Sequence, residues 1–296
     1  MNDIQNKEFQ PLMVSIKCFA YNHEKFIRDT LEGFVMQKTN FRFEAIVHDD
    51  ASTDGTAEII REYAEKYPNI IKPIYETENL YSKNDEALIE IVHTACKGKY
   101  IAICEGDDYW IDPYKLQKQV DFLENNQDYV ICFHRYKQFY QNELLFDDNI
   151  YPLNINNEGF SFNIDYYISC SWITQPLTCI YRKDVYDSMI NKSFKDMGLF
   201  FFLLKEGSGY VLGDIMGVYR LNNNGVYSSL SHVNKIRTDI KELISICKED
   251  KSHLSIAYLK NYLLKCKSSI GKKFLFQNCF LLINVLILIL KYRNKY

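Results

Sequence analysis

The chain has 296 residues, 47% of them hydrophobic, and a formal net charge of −3 at pH 7. This is enough apolar sequence for one large core with an appendage, and the small net charge gives no reason to expect nucleic acid as a partner. The nine cysteines include no CxxC pair, and the six histidines show no metal-ligand spacing. We therefore expect buried, reduced thiols and neither a disulfide framework nor a zinc site.

The first part of the chain predicts two units of strand, polar loop and helix. Residues 13–19 form an apolar run that leads through Tyr21 to a helical pattern over residues 26–35. Residues 43–47 form a second apolar run that ends in Asp49 and Asp50. Apolar residues then recur at helical spacing, and Ser52, Thr53 and Asp54 are the candidate N-caps.

A third apolar run, residues 100–104, ends in three carboxylates: Glu105, Asp107 and Asp108. Like charges this close raise one another's pKa unless a cation or hydrogen-bond donors share the site. Glu105 and Asp107 lie two residues apart, so in extended backbone both point to one face and can serve one ligand. This pattern favours a hard divalent cation, Mg2+ or Mn2+. The alternative is a charged turn in which Asp108 caps a helix.

These three units place Tyr21, the two aspartates after the second strand and the third acidic cluster on loops that follow strands. In an open parallel sheet such loops share one edge, where ligands bind. The sequence therefore predicts an α/β fold with a common site at that edge.

The remaining elements are less regular. We predict a helix over 117–125, strands over 129–133 and 177–181, and a long irregular loop over 147–163. Residues 222–228 contain Asn and Gly, which fit either a lid or an ordinary surface turn.

The tail beyond residue 235 has helical periodicity over 236–248 and 254–264. Residues 274–290 are strongly apolar and have basic residues on both sides. The stretch is slightly short for a membrane span, which needs about 20 apolar residues. We expect a helix lying on an anionic membrane surface, with packing on the protein or a dimer contact as the alternatives.

With these motifs the chain resembles the family 2 glycosyltransferases, whose nucleotide-sugar domain has the GT-A fold. The family's Tyr-Asn is matched by Tyr21-Asn22, its Asp-Asp-x-Ser-x-Asp-Gly-Thr signature by residues 49–56, and its metal motif by residues 105–108. Glu105 stands where the family more often has Asp. The resemblance implies a mixed sheet flanked by helices.

The resemblance also implies a domain organisation. It predicts a GT-A domain over 1–230, with a nucleotide-sugar half at 10–110 and an acceptor half at 111–230. Residues 231–296 would form a helical C-terminal extension.

The resemblance further implies roles for single residues. Tyr21 would stack on the nucleobase, and Asp50, beside Asp49, would accept a hydrogen bond from an imide N–H, which favours uridine or thymidine diphosphates. Glu105 would lie near the ribose. Lys83 would reach the nucleotide, although a solvated lysine is the alternative. Asp107 would ligate the metal directly, with Asp108 in support.

Asp196 is the candidate general base that takes the proton of the acceptor hydroxyl as it attacks in line, with inversion. It lies in a very apolar segment, which favours a raised pKa. The alternative is that Asp196 only caps a helix over 197–205. Four other aspartates are less attractive candidates: Asp165, Asp184, Asp187 and Asp214.

The predicted function is therefore metal-dependent, inverting sugar transfer. The donor would be a nucleoside-diphosphate sugar, with UDP favoured, and the acceptor a glycan or lipid-linked hydroxyl in cell-surface polysaccharide synthesis. The alternatives are a sugar nucleotidyltransferase and a non-catalytic binding protein. A nucleotidyltransferase should have a Gly-rich N-terminal loop, and residues 19–25 do not contain one. The first residues lack the apolar core of a secretory signal. We expect a cytoplasmic protein, peripheral on the inner face of the cell membrane.

Overall fold

The computed structural model describes residues 10–83, 87–140, 143–145, 159–189, 195–221, 225, 227–266 and 285. The predicted membrane helix over 274–290, apart from Val285, and most of the predicted loop over 147–163 lie outside the described residues. Four residues of the candidate lid, 222–224 and 226, also lie outside them.

The first part of the chain alternates strands and helices, as predicted. These elements are β1 (Leu12–Ala20), α1 (Ile27–Val35), β2 (Arg42–Asp49), α2 (Thr56–Lys66), β3 (Ile71–Tyr75), α3 (Ala87–Ala95) and β4 (Tyr100–Ile103). The helix α1 buries Ile27, Leu31 and Phe34, which are spaced to lie on one helical face. The apolar residues whose spacing predicts this helix are therefore the ones that it buries.

The second part is more mixed. Its first elements are β5 (Tyr109–Trp110), α4 (Lys115–Asn125), β6 (Tyr129–Tyr140), β7 (Glu143–Leu145), β8 (Phe160–Phe162), α5 (Ile164–Cys170) and a 3-10 helix (Pro176–Thr178). They are followed by β9 (Ile180–Arg182), α6 (Lys183–Asp187), α7 (Asp196–Glu206), β10 (Ser208–Arg220), α8 (His232–Glu249) and α9 (His253–Cys266).

Within the described residues, ten strands form one mixed sheet, in the order β3-β2-β1-β4-β9-β6-β10-β5, with β7 beside β6 and β8 beside β10. The pairs β1–β2, β2–β3, β1–β4 and β6–β10 are parallel, and β9 is antiparallel to both β4 and β6. The central strand β1 has fully buried Val14, Ile16 and Cys18. A parallel sheet covered by helices explains why β1 is buried along most of its length and mainly apolar, with Ser15 and Lys17 as its buried polar residues. The predicted mixed α/β sheet with flanking helices is confirmed.

One predicted strand is wrong in part. The segment 177–181 is not one strand, because Pro176 begins a 3-10 turn through Thr178 and only Ile180–Arg182 joins the sheet. Proline lacks the N–H that a strand ladder needs, and it is well tolerated at the first position of a helix.

The chain divides into two compact units. Unit 1 comprises residues 1–161, 174–193 and 206–220, and it contains the main sheet. Unit 2 comprises residues 162–173, 194–205 and 221–296. Two segments that precede residue 230 thus group with the C-terminal helices.

The described part of unit 2 is mainly helical, and hydrogen bonds connect its separate segments. The hydroxyl of Tyr258 on α9 donates to the carbonyl oxygen of Ser171 at 2.9 Å. Lys205 of α7 pairs with Asp250 at 2.6 Å, and the rings of Phe201 and Tyr258 stack with centroids 5.8 Å apart. Within the part of the chain that the structure describes, no helix is both long and apolar enough to cross a membrane.

Candidate active site

Unit 1 brings the ends of β1, β2 and β4 to one edge of the sheet. In the parallel register Ala20 of β1 lies opposite Asp49 of β2. The N–H of Asp50 donates to the carbonyl oxygen of Ala20 at 2.9 Å, and that of Gly106 donates to the carbonyl oxygen of Phe19 at 2.9 Å. The loops that carry the predicted residues therefore meet, as the pattern of strand, loop and helix predicted.

The loops after β1 and β2 are tied to each other by short polar side chains. The N–H of Asn22 donates to Ser52 Oγ at 2.9 Å, and the N–H of Thr53 donates to Asn22 Oδ1 at 2.8 Å. Asn22 and Ala51 both have left-handed backbone, with φ of 56° and 59°. Asparagine tolerates this conformation better than most residues. The Tyr-Asn pair and the serine of the acidic signature thus form one structural unit.

Asp54 and Thr56 complete this connection. Thr56 Oγ1 accepts from the N–H of His23 at 2.8 Å, and Asp54 Oδ2 accepts from the N–H of Glu24 at 3.2 Å. Asp54 Oδ1 also accepts from the N–H of Thr56 at 3.0 Å, at the start of α2. Asp54 therefore satisfies a backbone donor at the N-terminus of α2, while Gly55 occupies the N-cap position.

Asp50 is buried and holds the loop after β3. Its two carboxylate oxygens accept from the N–H groups of Leu80 at 2.7 Å and Tyr81 at 3.0 Å. Asp49 is also buried, and its Oδ2 accepts from the N–H of Ser52 at 3.3 Å. Among the described residues, no donor lies within hydrogen-bonding distance of Asp49 Oδ1. A buried acceptor of this kind calls for a donor from a water or a ligand.

The two predicted residues on the outer side of this edge are exposed. Tyr21 is 44% exposed just after β1, as a tyrosine that stacks on a ligand would be. Lys83 follows the loop that Asp50 holds, and it pairs with Glu78. Both members of this pair are largely exposed, which weakens their interaction.

The acidic turn 105–108 lies against the end of β1. Glu105 Oε2 accepts from the N–H of Phe19 at 3.3 Å. Burial raises the pKa of the Cys18 thiol well above its usual value, and the charges of Glu105, Asp107 and Asp108 raise it further. The three carboxylates thus lie near Cys18, towards the carboxyl end of the central strand.

Gly106 is required by packing within the protein itself. A Cβ at this position would lie 2.7 Å from His23 Nδ1 and 3.1 Å from the Cβ of Ala20. A side chain at this position would therefore displace His23 or Ala20.

Asp108 is the most buried of the three carboxylates. Its Oδ1 accepts from the N–H of Arg220 at 2.9 Å. Burial raises its pKa well above the usual value, and the neighbouring charge of Asp107 adds to this, whereas the Arg220 N–H lowers it. This placement favours a supporting role for Asp108 over direct contact with a metal, and it does not cap a helix.

The donor set fits a divalent cation that is held partly by its substrate. Among the described residues, no group of three or more His, Cys, Asp or Glu side chains is arranged to hold a metal ion by itself. Asp107 and Glu105 are only partly buried at the sheet edge. Mg2+ is usually bound through one or two carboxylates together with substrate phosphates, and Mn2+ also suits carboxylate oxygen. These two residues fit that arrangement.

His23 is a component of the site that the sequence did not single out. Burial lowers its pKa, while the charges of Asp107, Asp54 and Asp49 oppose that shift. Its position directly after Tyr21-Asn22 is the signal in the sequence that points to this role, since metal-ligand spacing does not.

Asp196 is the first residue of α7 and belongs to unit 2. Two of the alternative aspartates have cationic partners in unit 1: Asp214 pairs with Lys118 at 2.6 Å, and Asp187 pairs with Lys183 at 2.6 Å. Asp184 and Asp165 lie in the first turns of the short helices α6 and α5, where a carboxylate favours the helix dipole. These positions give the alternatives structural roles.

The amino-acid sequence is similar to those of two other proteins. An uncharacterized protein of Mycobacterium tuberculosis is 35% identical over 217 residues, which are 73% of this chain and 61% of that protein. The chain thus spans about three fifths of that relative's length. WfaP of Escherichia coli, a UDP-Glc:alpha-D-GlcNAc-diphosphoundecaprenol beta-1,3-glucosyltransferase, is 33% identical over 128 residues, 43% of this chain and 46% of its own.

Two solved structures share the fold. S. aureus TarS 1–349 in complex with UDP-GlcNAc matches with a TM-score of 0.60 at 18% identity, over 85% of this chain and 73% of its own. A mannosyltransferase from Pyrobaculum calidifontis in complex with GDP-Man and Mn2+ matches with a TM-score of 0.59 at 14% identity, over 98% of this chain and 84% of its own. The predicted GT-A-like architecture is confirmed. The model of Glycosyl transferase family 2 matches residues 15–188, and this chain, with its acidic loops at one edge of the sheet, belongs to that family.

Proposed function

We propose that the protein is an inverting, metal-dependent glycosyltransferase that moves a sugar from a nucleoside-diphosphate sugar to a hydroxyl of a glycan or lipid-linked acceptor. The donor favoured is a UDP-sugar, and the process is cell-surface polysaccharide synthesis. The observation that carries this proposal is the position of Asp49, Asp50, Glu105 and Asp107 at the carboxyl ends of β2 and β4, the two parallel neighbours of β1. Such an edge is where open α/β sheets bind their ligands.

The chain's own residues divide the binding work. Tyr21 offers an exposed ring for the base, and Asp49 offers a buried acceptor oxygen that has no donor among the described residues. An acceptor at this point suits the imide N–H of uracil and disfavours cytosine, whose N3 is itself an acceptor. Asp50 holds residues 80–81 of the adjacent loop, so it shapes the base site and remains a second acceptor for it.

The diphosphate requires a positive charge that these carboxylates cannot supply. Asp107, with Glu105, would hold a divalent cation, which when bound neutralises diphosphate charge. Asp108 supports the turn through the hydrogen bond that its Oδ1 accepts from the N–H of Arg220. The relatives agree in chemical class, since WfaP is a glucosyltransferase with a UDP-Glc donor and a lipid-linked acceptor, and the mannosyltransferase structure contains Mn2+.

The base that accepts the acceptor's proton is proposed to be Asp196. In unit 2, Asp196 begins α7, and its helix is among the most apolar of the chain, with Phe200 and Phe201 fully buried. A carboxylate placed at the start of this helix can take the proton of an acceptor hydroxyl. Direct attack by the acceptor then requires no covalent intermediate.

The test combines binding and turnover. Thermal shift with UDP, GDP, TDP and CDP, each with and without Mn2+, is expected to show stabilisation by UDP that depends on the metal. Hydrolysis of UDP-sugars, or transfer of the sugar, is then measured by the amount of UDP released. Asp107→Asn should lose both the metal-dependent shift and turnover. Asp196→Asn should keep the shift and lose turnover, by about a hundredfold or more if general-base catalysis is removed.

Asp214→Asn is the matched control, because it makes the same chemical change at an exposed carboxylate that pairs with Lys118. It should behave as the wild type. Full transfer by Asp107→Asn with unchanged metal dependence would contradict the metal assignment. Full transfer by Asp196→Asn would contradict the base assignment. UDP binding without turnover of any sugar, with each acceptor class supplied, would favour the non-catalytic alternative.

A further inference from the structure

Side chains from outside the acidic turn contact the carbonyl oxygens of its last three residues, 106–108. The hydroxyl of Thr30 lies within hydrogen-bonding distance of the carbonyl oxygens of Gly106, at 3.1 Å, and Asp108, at 2.6 Å. The carbonyl oxygen of Asp107 accepts from Arg220 Nη1 at 3.0 Å. Residues 106–108 thus have their backbone oriented by two side chains that come from α1 and from the end of β10.

Arg220 makes several further contacts at this point. Its backbone N–H donates to Asp108 Oδ1 at 2.9 Å, and its Nη2 pairs with Asp29 on α1. Its guanidinium lies 4.2 Å from the centroid of the Tyr109 ring. The residue is 8% exposed, so these contacts are made with little competition from water. Arginine suits such a position because its planar fork can stack and donate in two directions at once.

Asp29 directs this fork. Its carboxylate pairs with one terminal nitrogen of Arg220, which leaves the other terminal nitrogen aimed at the carbonyl oxygen of Asp107. The peptide of Asp107 is therefore held between α1 and β10 through one arginine. A carboxylate that binds a cation depends on such outer contacts for its orientation.

We propose that Arg220 is a positioning residue: through its ion pair with Asp29 it orients Asp107, and so sets the affinity of the donor site for a divalent cation and nucleoside diphosphate. This inference rests on the function proposed above. Arg220 acts through Asp107 and does not itself contact substrate. Its guanidinium also brings a positive charge to the backbone of the acidic turn.

Arg182 provides a matched control in the same unit. It is 6% exposed, its Nε donates to the carbonyl oxygen of Tyr129 at 2.8 Å, and its guanidinium lies 5.6 Å from the centroid of the Tyr100 ring. It thus resembles Arg220 in burial, in donating to a backbone carbonyl and in stacking. The difference is that its backbone partners lie outside the acidic turn.

The experiment measures binding of Mn2+ in the presence of UDP by electron paramagnetic resonance, on the full chain and on Arg220→Lys and Arg182→Lys. A lysine keeps the charge but cannot serve Asp29 and the Asp107 carbonyl together. Arg220→Lys is expected to raise the Mn2+ dissociation constant about tenfold or more. Arg182→Lys is expected to lose thermal stability to a similar degree and to keep the Mn2+ affinity of the wild type.

Asp29→Asn provides a second measurement if Arg220→Lys folds poorly, because Asp29 is 59% exposed and its loss removes only the partner that directs the fork. It should weaken Mn2+ binding in the same direction. Wild-type Mn2+ affinity in both variants would overturn the inference while leaving the proposed function intact. A wild-type protein that binds neither Mn2+ nor UDP would instead overturn the proposed function. Equal losses of Mn2+ affinity in the Arg220 and Arg182 variants would reduce Arg220 to a stability role.

Discussion

Lys115 lies in the core of unit 1, and its ammonium is 3.7 Å from the centroid of the Trp110 ring. The side chain is fully buried, and among the described residues no acceptor lies within hydrogen-bonding distance of Nζ. Burial lowers its pKa to about 7 from the usual 10.5. The stacking on Trp110 offsets part of the cost of burying the charge. Lys115 therefore lowers the free energy of unfolding most at pH values at which its ammonium group is charged in the folded protein.

Replacing Lys115 by Met should stabilise the protein near neutral pH. Because the folded-state pKa lies below the unfolded one, the unfolded chain binds more protons between about pH 7 and pH 10.5, and the wild type gains stability as pH rises through this window. We expect Lys115→Met to raise the free energy of unfolding by about 1–3 kcal/mol at about pH 7. The gain should shrink towards pH 10. Urea denaturation at both pH values measures it.

Lys118→Met on the same helix is the control, since Lys118 is more exposed and pairs with Asp112 at 2.8 Å and Asp214 at 2.6 Å. It should lower stability slightly, because a partly exposed ion pair contributes little. A loss of stability in Lys115→Met that does not change with pH would show that the Trp110 contact outweighs the burial of the charge.

Single residues of the site differ in how well the sequence predicts them. Asp49, Asp50 and Asp107 are recognisable because each follows an apolar run that reads as a buried strand. His23 is not recognisable in this way, and neither is Lys115 in the core, since a lone histidine or lysine is ordinarily solvated and only tertiary packing changes its surroundings. The contact from Arg220 to Asp107 joins residues 113 positions apart, which periodicity does not reveal.

At the scale of elements, regular amphipathic segments were predicted well and interrupted ones were not. The helices α1 and α2 follow from their 3.6-residue period. The strand β10 covers Ser208–Arg220, and its register shifts between Leu212 and Ile215 and again before Gly217. Such irregularities interrupt the alternation that predicts a strand.

The contact between α7 and α8 contains a carboxyl group with an unusual pKa. Glu242 Oε1 on α8 accepts from the N–H of Gly198 on α7 at 3.0 Å. Burial raises the pKa of Glu242 to about 7, and the charge of Asp196 raises it, while the Gly198 N–H lowers it. The ionised form is thus less favourable in the folded state than in the unfolded chain.

Glu242→Gln is expected to stabilise unit 2 above neutral pH and to change little in acid. The folded protein keeps the proton of Glu242 while the unfolded chain releases it between the usual pKa of 4.5 and about 7, so the wild type loses stability over that window. Glutamine keeps the acceptor for Gly198 without the charge. The gain should be on the order of 1 kcal/mol, since a partly exposed carboxylate is screened by solvent. Thermal denaturation at about pH 8 and about pH 4.5 measures it.

Glu249→Gln serves as the control, because Glu249 is exposed on the same helix. It should leave the pH profile unchanged. A uniform loss of stability in Glu242→Gln at both pH values would mean that the charged hydrogen bond to Gly198 outweighs the cost of burial.

At the scale of the whole molecule, the resemblance to a known family predicted the fold, and the division into units came only from the structure. Two segments, 162–173 and 194–205, group with α8 and α9. The contacts that join them are distant in sequence, as in Tyr258 to Ser171, which lie 87 positions apart. The sequence predicts a boundary near residue 230 because the recognisable motifs end there. Contacts between residues so far apart in the sequence leave no local pattern from which this grouping could be predicted.

We propose that the tail beyond α9 makes the peripheral contact with the membrane. Its apolar stretch 274–290 has Lys272 and Lys273 before it and three basic residues after it, Lys291, Arg293 and Lys295. An apolar helix with basic flanks binds anionic surfaces through buried apolar area and through charge, and the second part is screened by salt. A chain that ends after Cys266 retains α8 and α9, so it should lose the membrane contact and keep the donor site.

Sedimentation with vesicles that contain anionic phosphatidylglycerol tests this for the full chain and for the chain ending at Cys266. The full chain should sediment with these vesicles, less so at high salt and less so with vesicles of neutral lipid. The shortened chain should remain in the supernatant, while its thermal shift with UDP and Mn2+ matches that of the full chain. Equal sedimentation of both chains would assign membrane contact to another surface. Loss of the UDP shift on shortening would instead make the tail part of the fold, since a segment that only touches lipid has no bearing on a nucleotide site in unit 1.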